Sequence, residues 1–276
     1  MVSSAVPIAK RPLSERAFVA LNRRAMNARR HPVVRLDEDM EALDAATGSR
    51  RRSQDALRQL TRDGRLRRVR RGVYLLVAPT GSTEARVLPL IDAVTPRPYV
   101  VTTGRALAEA GLSDQHFFHV IVLAPHRLSD WSWQGDEVRY AFVAPERIWG
   151  SSTPDGPQVA FPERAILDCL ANPRWGVTPA QAAEAIDRAV PDRTNPEHLA
   201  QVAERYGSAA AARRLGYLLE LLRGPGAAAP LLPLRGRSHA HVLLAPSAPD
   251  QGPTSPRWGL RVNVDPDVLL AHRLVG

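Results

Sequence analysis

The sequence predicts an α+β protein, with an N-terminal winged helix-turn-helix followed by a mixed α/β module, and three observations carry that expectation. Residues 13–63 divide into three segments of helical period separated by turn signals. From Arg65 the period changes to two, and two short strand-like runs flank Arg70-Arg71-Gly72. Nearly all excess charge lies in this first quarter: residues 1–77 hold 18 basic and 8 acidic residues, whereas the remainder holds 19 and 20. A basic module for a polyanion joined to a neutral module is the simplest reading.

Residues 1–12 lack apolar period and read as a flexible arm. Segment 13–30 places Leu13, Ala17, Ala20, Leu21, Ala25 and Ala28 near one face, and His31-Pro32 ends it because a residue before proline is pushed out of the helical region. Residues 36–46 form a second helix with acidic residues in its first turn, where the helix dipole favours them. Thr47-Gly48-Ser49 is a turn, and a third helix runs to Asp63-Gly64, glycine being the usual residue past a helix end. The strands are 65–69 and 73–77, so the winged-helix domain spans 13–79 and a second domain 80–276.

Residues 50–77 contain ten arginines and two aspartates. With Leu57 and Leu60 inward, Ser53 and Ala56 share their side. Arg51, Asp55, Arg58 and Arg62 then line the opposite face, flanked by Arg52 and Gln59, with Arg50 and Gln54 nearby. Such a row suits a helix in the major groove, where arginine takes guanine O6/N7 bidentately or clamps phosphates. Asp55 fits less easily; it orients a neighbouring arginine or accepts from a cytosine amino group. Arg67, Arg68, Arg70 and Arg71 crowd the hairpin, where backbone or minor-groove contacts position without reading sequence directly. Val69, Val73 and Leu75 return the second strand to the core, which is why the charge stops at Gly72.

In the second domain, 99–112 reads as a strand running into a short helix. Strands 117–124 and 138–144 are joined by a loop holding Trp131 and Trp133. Helices follow at 161–171, 178–190, 195–206 and 208–223, then a Pro/Gly-rich connector (224–236), strands at 241–246 and 257–265, and a last short helix opened by Asp265-Pro266.

Several chemistries find no support. The lone lysine, Lys10, leaves no phosphate-binding Gly-Lys-Ser/Thr loop and no lysine to complete a nuclease site of paired acids. Gly81-Ser82 has no Asp-x-Asp downstream to hold the metals of a nucleotidyltransferase, and Asp265-Pro266-Asp267 reads as a helix start. His116 and His119 point to opposite faces of a strand, and His239 and His241 lack a third ligand, so no metal or cofactor is expected. The single cysteine, Cys169, sits at helical spacing with Ala165, Ile166 and Leu170 and reads as a buried structural thiol. No apolar run reaches the roughly 18–20 residues of a membrane span, and the N-terminus lacks a signal-peptide core, so a cytoplasmic protein is expected.

GRLRRVRRGVYLL after SQDALRQLTRD resembles the winged-helix domain of AbiEi-type antitoxins, the regulatory half of type IV toxin–antitoxin (abortive-infection, phage-defence) systems. TTGRALAEAGL, VAPERIWG, VAFPERAILDCL and ARRLGYLLELL resemble, in order, segments of that family's C-terminal antitoxin domain; the likeness runs from about residue 36 to about 265. The resemblance implies a non-enzymatic repressor that binds double-stranded DNA, repeats in its own promoter. It also implies a counterpart nucleotidyltransferase toxin with which no stable complex is expected. Glu163, Arg164, Arg213 and Arg214 fall in its Pro-Glu-Arg-Ala and Arg-Leu-Gly-Tyr patterns; they form either a toxin-countering surface or internal structure, with Glu163 and Arg214 as an ion pair. The rivals are a stand-alone winged-helix regulator without a toxin, an RNA- or acidic-protein-binding scaffold, and a nuclease or transferase.

Overall fold

The computed structural model describes residues 11–27, 32–77, 87–151, 156–236 and 242–274. It is an α+β protein in two compact units. The first comprises Met1–Pro96 with Trp131–Trp133, and the second Arg97–Asp130 with Gln134–Gly276. The first unit therefore extends past the composition change at Pro79 and recruits three residues from much later in the chain. Residues 1–10 of the expected arm, Gly81-Ser82, His239 and His241 lie outside the described residues.

In the first unit, α1 (Leu13–Asn27), α2 (Leu36–Thr47) and α3 (Arg50–Arg62) surround a core of Ala17, Leu21, Ala25, Leu43, Ala56, Leu57 and Leu60. The α2–α3 corner is set by local chemistry. Gly48 at φ +92° takes the left-handed position that ends α2, its N–H donating to the Asp44 carbonyl at 2.7 Å. Ser49 caps α3 by accepting from the Arg52 N–H. The buried Ser53 hydroxyl meets Thr47 Oγ1 at 2.7 Å and donates to Asp44 Oδ1 at 2.5 Å, pinning one helix to the other.

Strands β2 (Leu66–Arg70) and β3 (Val73–Leu76) form the expected hairpin, with Gly72 at φ +78° in its turn and a bulge between Arg68 and Arg70. A further strand, β1 (Val33–Arg35), pairs with β3 to give the order β1-β3-β2. Another element absent from the sequence reading is helix α4 (Val87–Val94), nearly all of whose apolar side chains are buried. The loop expected between the second-domain strands contains β6 (Trp131–Trp133), both of whose tryptophans are buried.

In the second unit, β4 (Val100–Thr102) runs antiparallel to β5 (His119–Ala124), which runs parallel to β7 (Asp136–Phe142). Helix α5 (Thr103–Glu109) follows β4 directly. Helices α6 (Pro162–Ala171), α7 (Pro179–Ala189), α8 (Pro196–Tyr206) and α9 (Ala209–Arg223) contribute most of one large core. The Pro/Gly-rich 224–236 stretch is helical, α10 (Pro225–Ala228) running into a 3-10 segment. The last strands are pairs only: β8 (Val242–Leu243), β9 (Thr254–Ser255) and β10 (Leu260–Arg261), in the order β8-β10-β9. Helix α11 (Pro266–Leu270) opens under the Asp265 cap. Among the described residues no helix is long and apolar enough to cross a membrane.

Candidate nucleic-acid interface

Helix α3 buries Ser53, Ala56, Leu57 and Leu60, one side of a 3.6-residue period. Its opposite side therefore exposes Arg50, Arg51, Arg52, Gln54, Arg58 and Arg62, with Gln59 half-buried at the margin. From Arg51 to Arg62 the row runs about 16 Å along the axis, the length of four to five base-pair steps.

Carboxylates engage only part of this face. Arg50 Nε lies 3.4 Å from Asp44 Oδ2, Arg58 Nη1 donates to Asp55 Oδ1 at 2.9 Å, and Gln59 Nε2 donates to Asp63 Oδ1 at 2.7 Å. Among the described residues no ion pair or hydrogen bond engages the side chains of Arg51, Arg52 or Arg62. Four guanidinium groups held apart on one helix face, three without counter-charges, repel one another. A row of phosphates relieves that repulsion.

The hairpin arginines divide. Arg68 and Arg71 are exposed, Arg68 Nε making a long bond to the Arg70 carbonyl. Arg67 lies over Trp133, its guanidinium carbon 4.6 Å from the ring centroid, a cation–π contact that holds the side chain. Arg70, expected among the contacting residues, instead donates Nη2 to the Val94 carbonyl at the end of α4 and serves the fold. Arg65 also turns inward, to Glu15 at 2.7 Å and over the Phe18 ring at 3.9 Å.

Glu163, Arg164, Arg213 and Arg214 correct an expectation. All four are buried, so they present no toxin-countering surface. Nor do Glu163 and Arg214 pair: Glu163 lies 3.7 Å from His198, and Arg214 donates to the Leu243 and Leu170 carbonyls. Arg213 donates to the carbonyls of Arg235 and Gly259. Arg164 Nε donates to Asp168 Oδ2 at 2.8 Å, and its guanidinium stacks on Trp149 (4.4 Å) and Tyr206 (5.0 Å). Asp168 also accepts from Thr102 Oγ1 at 2.6 Å and from the Tyr206 hydroxyl at 2.9 Å. Burial, with Asp168 adding, pushes the Tyr206 hydroxyl up; the same two causes push up the buried Cys169 thiol.

The histidines meet carboxylates singly: His116 with Asp136 at 3.0 Å, His119 with Glu137 at 3.3 Å and His272 with Asp187 at 2.9 Å. Among the described residues no group of three or more His, Cys, Asp or Glu is placed to hold a metal. Sequence reasoning did not single out Trp133 as the ring beneath Arg67; its spacing to Trp131 on a strand was the available signal.

No protein-family model and no curated protein matches the sequence. In fold the chain is similar to the Rv2827c protein from Mycobacterium tuberculosis, as seen in its crystal structure. The TM-score is 0.71 at 19% identity, covering 99% of this chain and 96% of that one.

Proposed function

We propose that this protein is a DNA-binding transcriptional repressor of the antitoxin type, whose first unit is a winged helix-turn-helix. In this reading α3 enters the major groove and the β2–β3 hairpin lies as the wing against the backbone. One observation carries it: the Arg51, Arg52, Arg58, Arg62 face of α3, largely without counter-charge and opposite a well-packed apolar side. The chain needs no cofactor or catalytic step for this work, and its place is the cytoplasm, where its DNA is. Its target is the promoter of its own gene, with inverted repeats if it binds as a dimer.

A mobility-shift titration with that upstream duplex is the test. Replacing Arg51, Arg52, Arg58, Arg62 and Arg71 by alanine should abolish the shift, and unchanged affinity would refute the assignment. Single alanines at Arg51, Arg58 or Arg62 should each weaken specific binding by roughly 1–3 kcal/mol where the side chain reads a base.

The antitoxin half, counteracting a nucleotidyltransferase toxin without a stable complex, is supported by the sequence resemblance. The burial of Glu163, Arg164, Arg213 and Arg214 favours a second reading, a stand-alone winged-helix regulator. Co-expression with a toxic neighbouring gene separates the two: rescue of growth supports the antitoxin, and no rescue supports the regulator.

A further inference from the structure

A carboxylate in the middle of a face meant for a polyanion works against binding, because it repels the phosphates its neighbours attract. Asp55 occupies that place on α3. The other two carboxylates on this face stand at its margins: Asp44 belongs to α2, and Asp63 lies just past the end of α3. The Asp55 side chain is 53% exposed and its partner Arg58 70% exposed, so the pair adds little to folding. Asp55 also selects its partner: Nη1 of Arg58, three residues on, lies at 2.9 Å, whereas Arg51, four residues back, is left unengaged.

Arginine carries five N–H donors, so one donated to Asp55 leaves an edge of two parallel N–H groups for a second acceptor pair. Guanine O6 and N7 are such a pair in the major groove. Arg58 can take them without leaving Asp55. A phosphate on the same edge, unlike a neutral guanine, brings an anion up against the Asp55 carboxylate, which repels it. The sequence-independent mode therefore loses more than the base-reading mode, and discrimination is the difference between the two.

Resting on the DNA-binding reading above, we propose that Asp55 is a specificity-determining residue. It holds Arg58 for bidentate recognition of one guanine and penalises the mode in which Arg58 takes a phosphate. The general affinity it sacrifices is the cost of that selectivity.

The test uses the full-length protein, a randomised duplex pool for selection, and a fixed unselected duplex for salt titration. The wild type should enrich sites with an invariant guanine. In Asp55→Asn, which keeps shape and removes charge, preference for that guanine should fall about tenfold. Affinity for the unselected duplex should rise roughly two- to fivefold, and the slope of log affinity against log salt should steepen by about 0.9 as Arg58 gains a phosphate. Arg58→Ala should erase preference at the same position while weakening binding. Asp55→Ser, with circular dichroism on each variant, guards against misfolding. An Asp55→Asn protein that keeps its guanine preference, or binds the unselected duplex no tighter, overturns this proposal and leaves DNA binding standing. A wild type that retains no duplex at all removes the DNA reading itself.

Discussion

Arginine does opposite jobs on α3 and on helices α6 and α9. On α3 the guanidinium groups of Arg51, Arg52 and Arg62 stand in solvent with no partner among the described residues. On α6 and α9, Arg164, Arg213 and Arg214 are buried, and their bonds go to Asp168 and to backbone carbonyls of Arg235, Gly259, Leu243 and Leu170. The difference lies in what burial demands. A buried cation must be matched by acceptors or it destabilises the fold, so the inner arginines act as clamps between distant segments. The outer ones, exposed to solvent, need no such match.

The largest test of this division is Arg164→Met, which leaves the Asp168 carboxylate buried without its cation. Stability in urea should fall by about 3–5 kcal/mol, while duplex affinity of the folded protein should hold. Pairing it with Asp168→Leu should recover much of the loss, because removing both charges avoids the orphaned one.

A medium effect belongs to Asp187, on which Arg273, Arg223 and His272 converge at 2.6–2.9 Å. Hydrogen bonds from Arg273 lower its pKa from 3.8 to about 2, burial opposing and His272 and Arg223 adding to the lowering. The folded carboxylate ionises more readily than the unfolded one, so its stabilisation is complete above the unfolded value and lost as pH falls through about 2. Asp187→Asn should cost roughly 2 kcal/mol at neutral pH. Denaturation series should show the gap from wild type closing between pH 4 and 2.

The smallest change in stability should follow Arg51→Ala with Arg62→Ala, within about 0.5 kcal/mol by urea melts. The same pair should nonetheless weaken duplex binding and flatten its salt dependence. A large loss of stability there would place these arginines with the inner set and dissolve the contrast.

How legible each part was follows from how local its cause is. The α3 face could be read because helical period alone puts Leu57 and Leu60 opposite Arg51, Arg58 and Arg62. Strand β1 could not: three residues, Val33–Arg35, are a strand only because β3 lies beside them. Helix α4 is apolar but for Asp92 and contains Pro89, so its period was hidden. Arg70 and Arg71 are adjacent and chemically identical, yet only Arg70 reaches a carbonyl, 24 residues later. Arg213 and Arg214 were invisible for the same reason, their acceptors lying 22 to 46 residues away. Gly216, matched to the resemblance motif, gains its physical meaning only in three dimensions: a Cβ there would sit 2.1 Å from the Trp258 ring.

The ring beneath Arg67 has a practical consequence for anyone dissecting this protein. A gene fragment ending at Pro96 would omit Trp131–Trp133, so the first unit cannot be excised by a single cut. Grafting this unit onto another protein would require carrying both segments across, or supplying a surrogate aromatic surface to keep the hairpin's arginine in place.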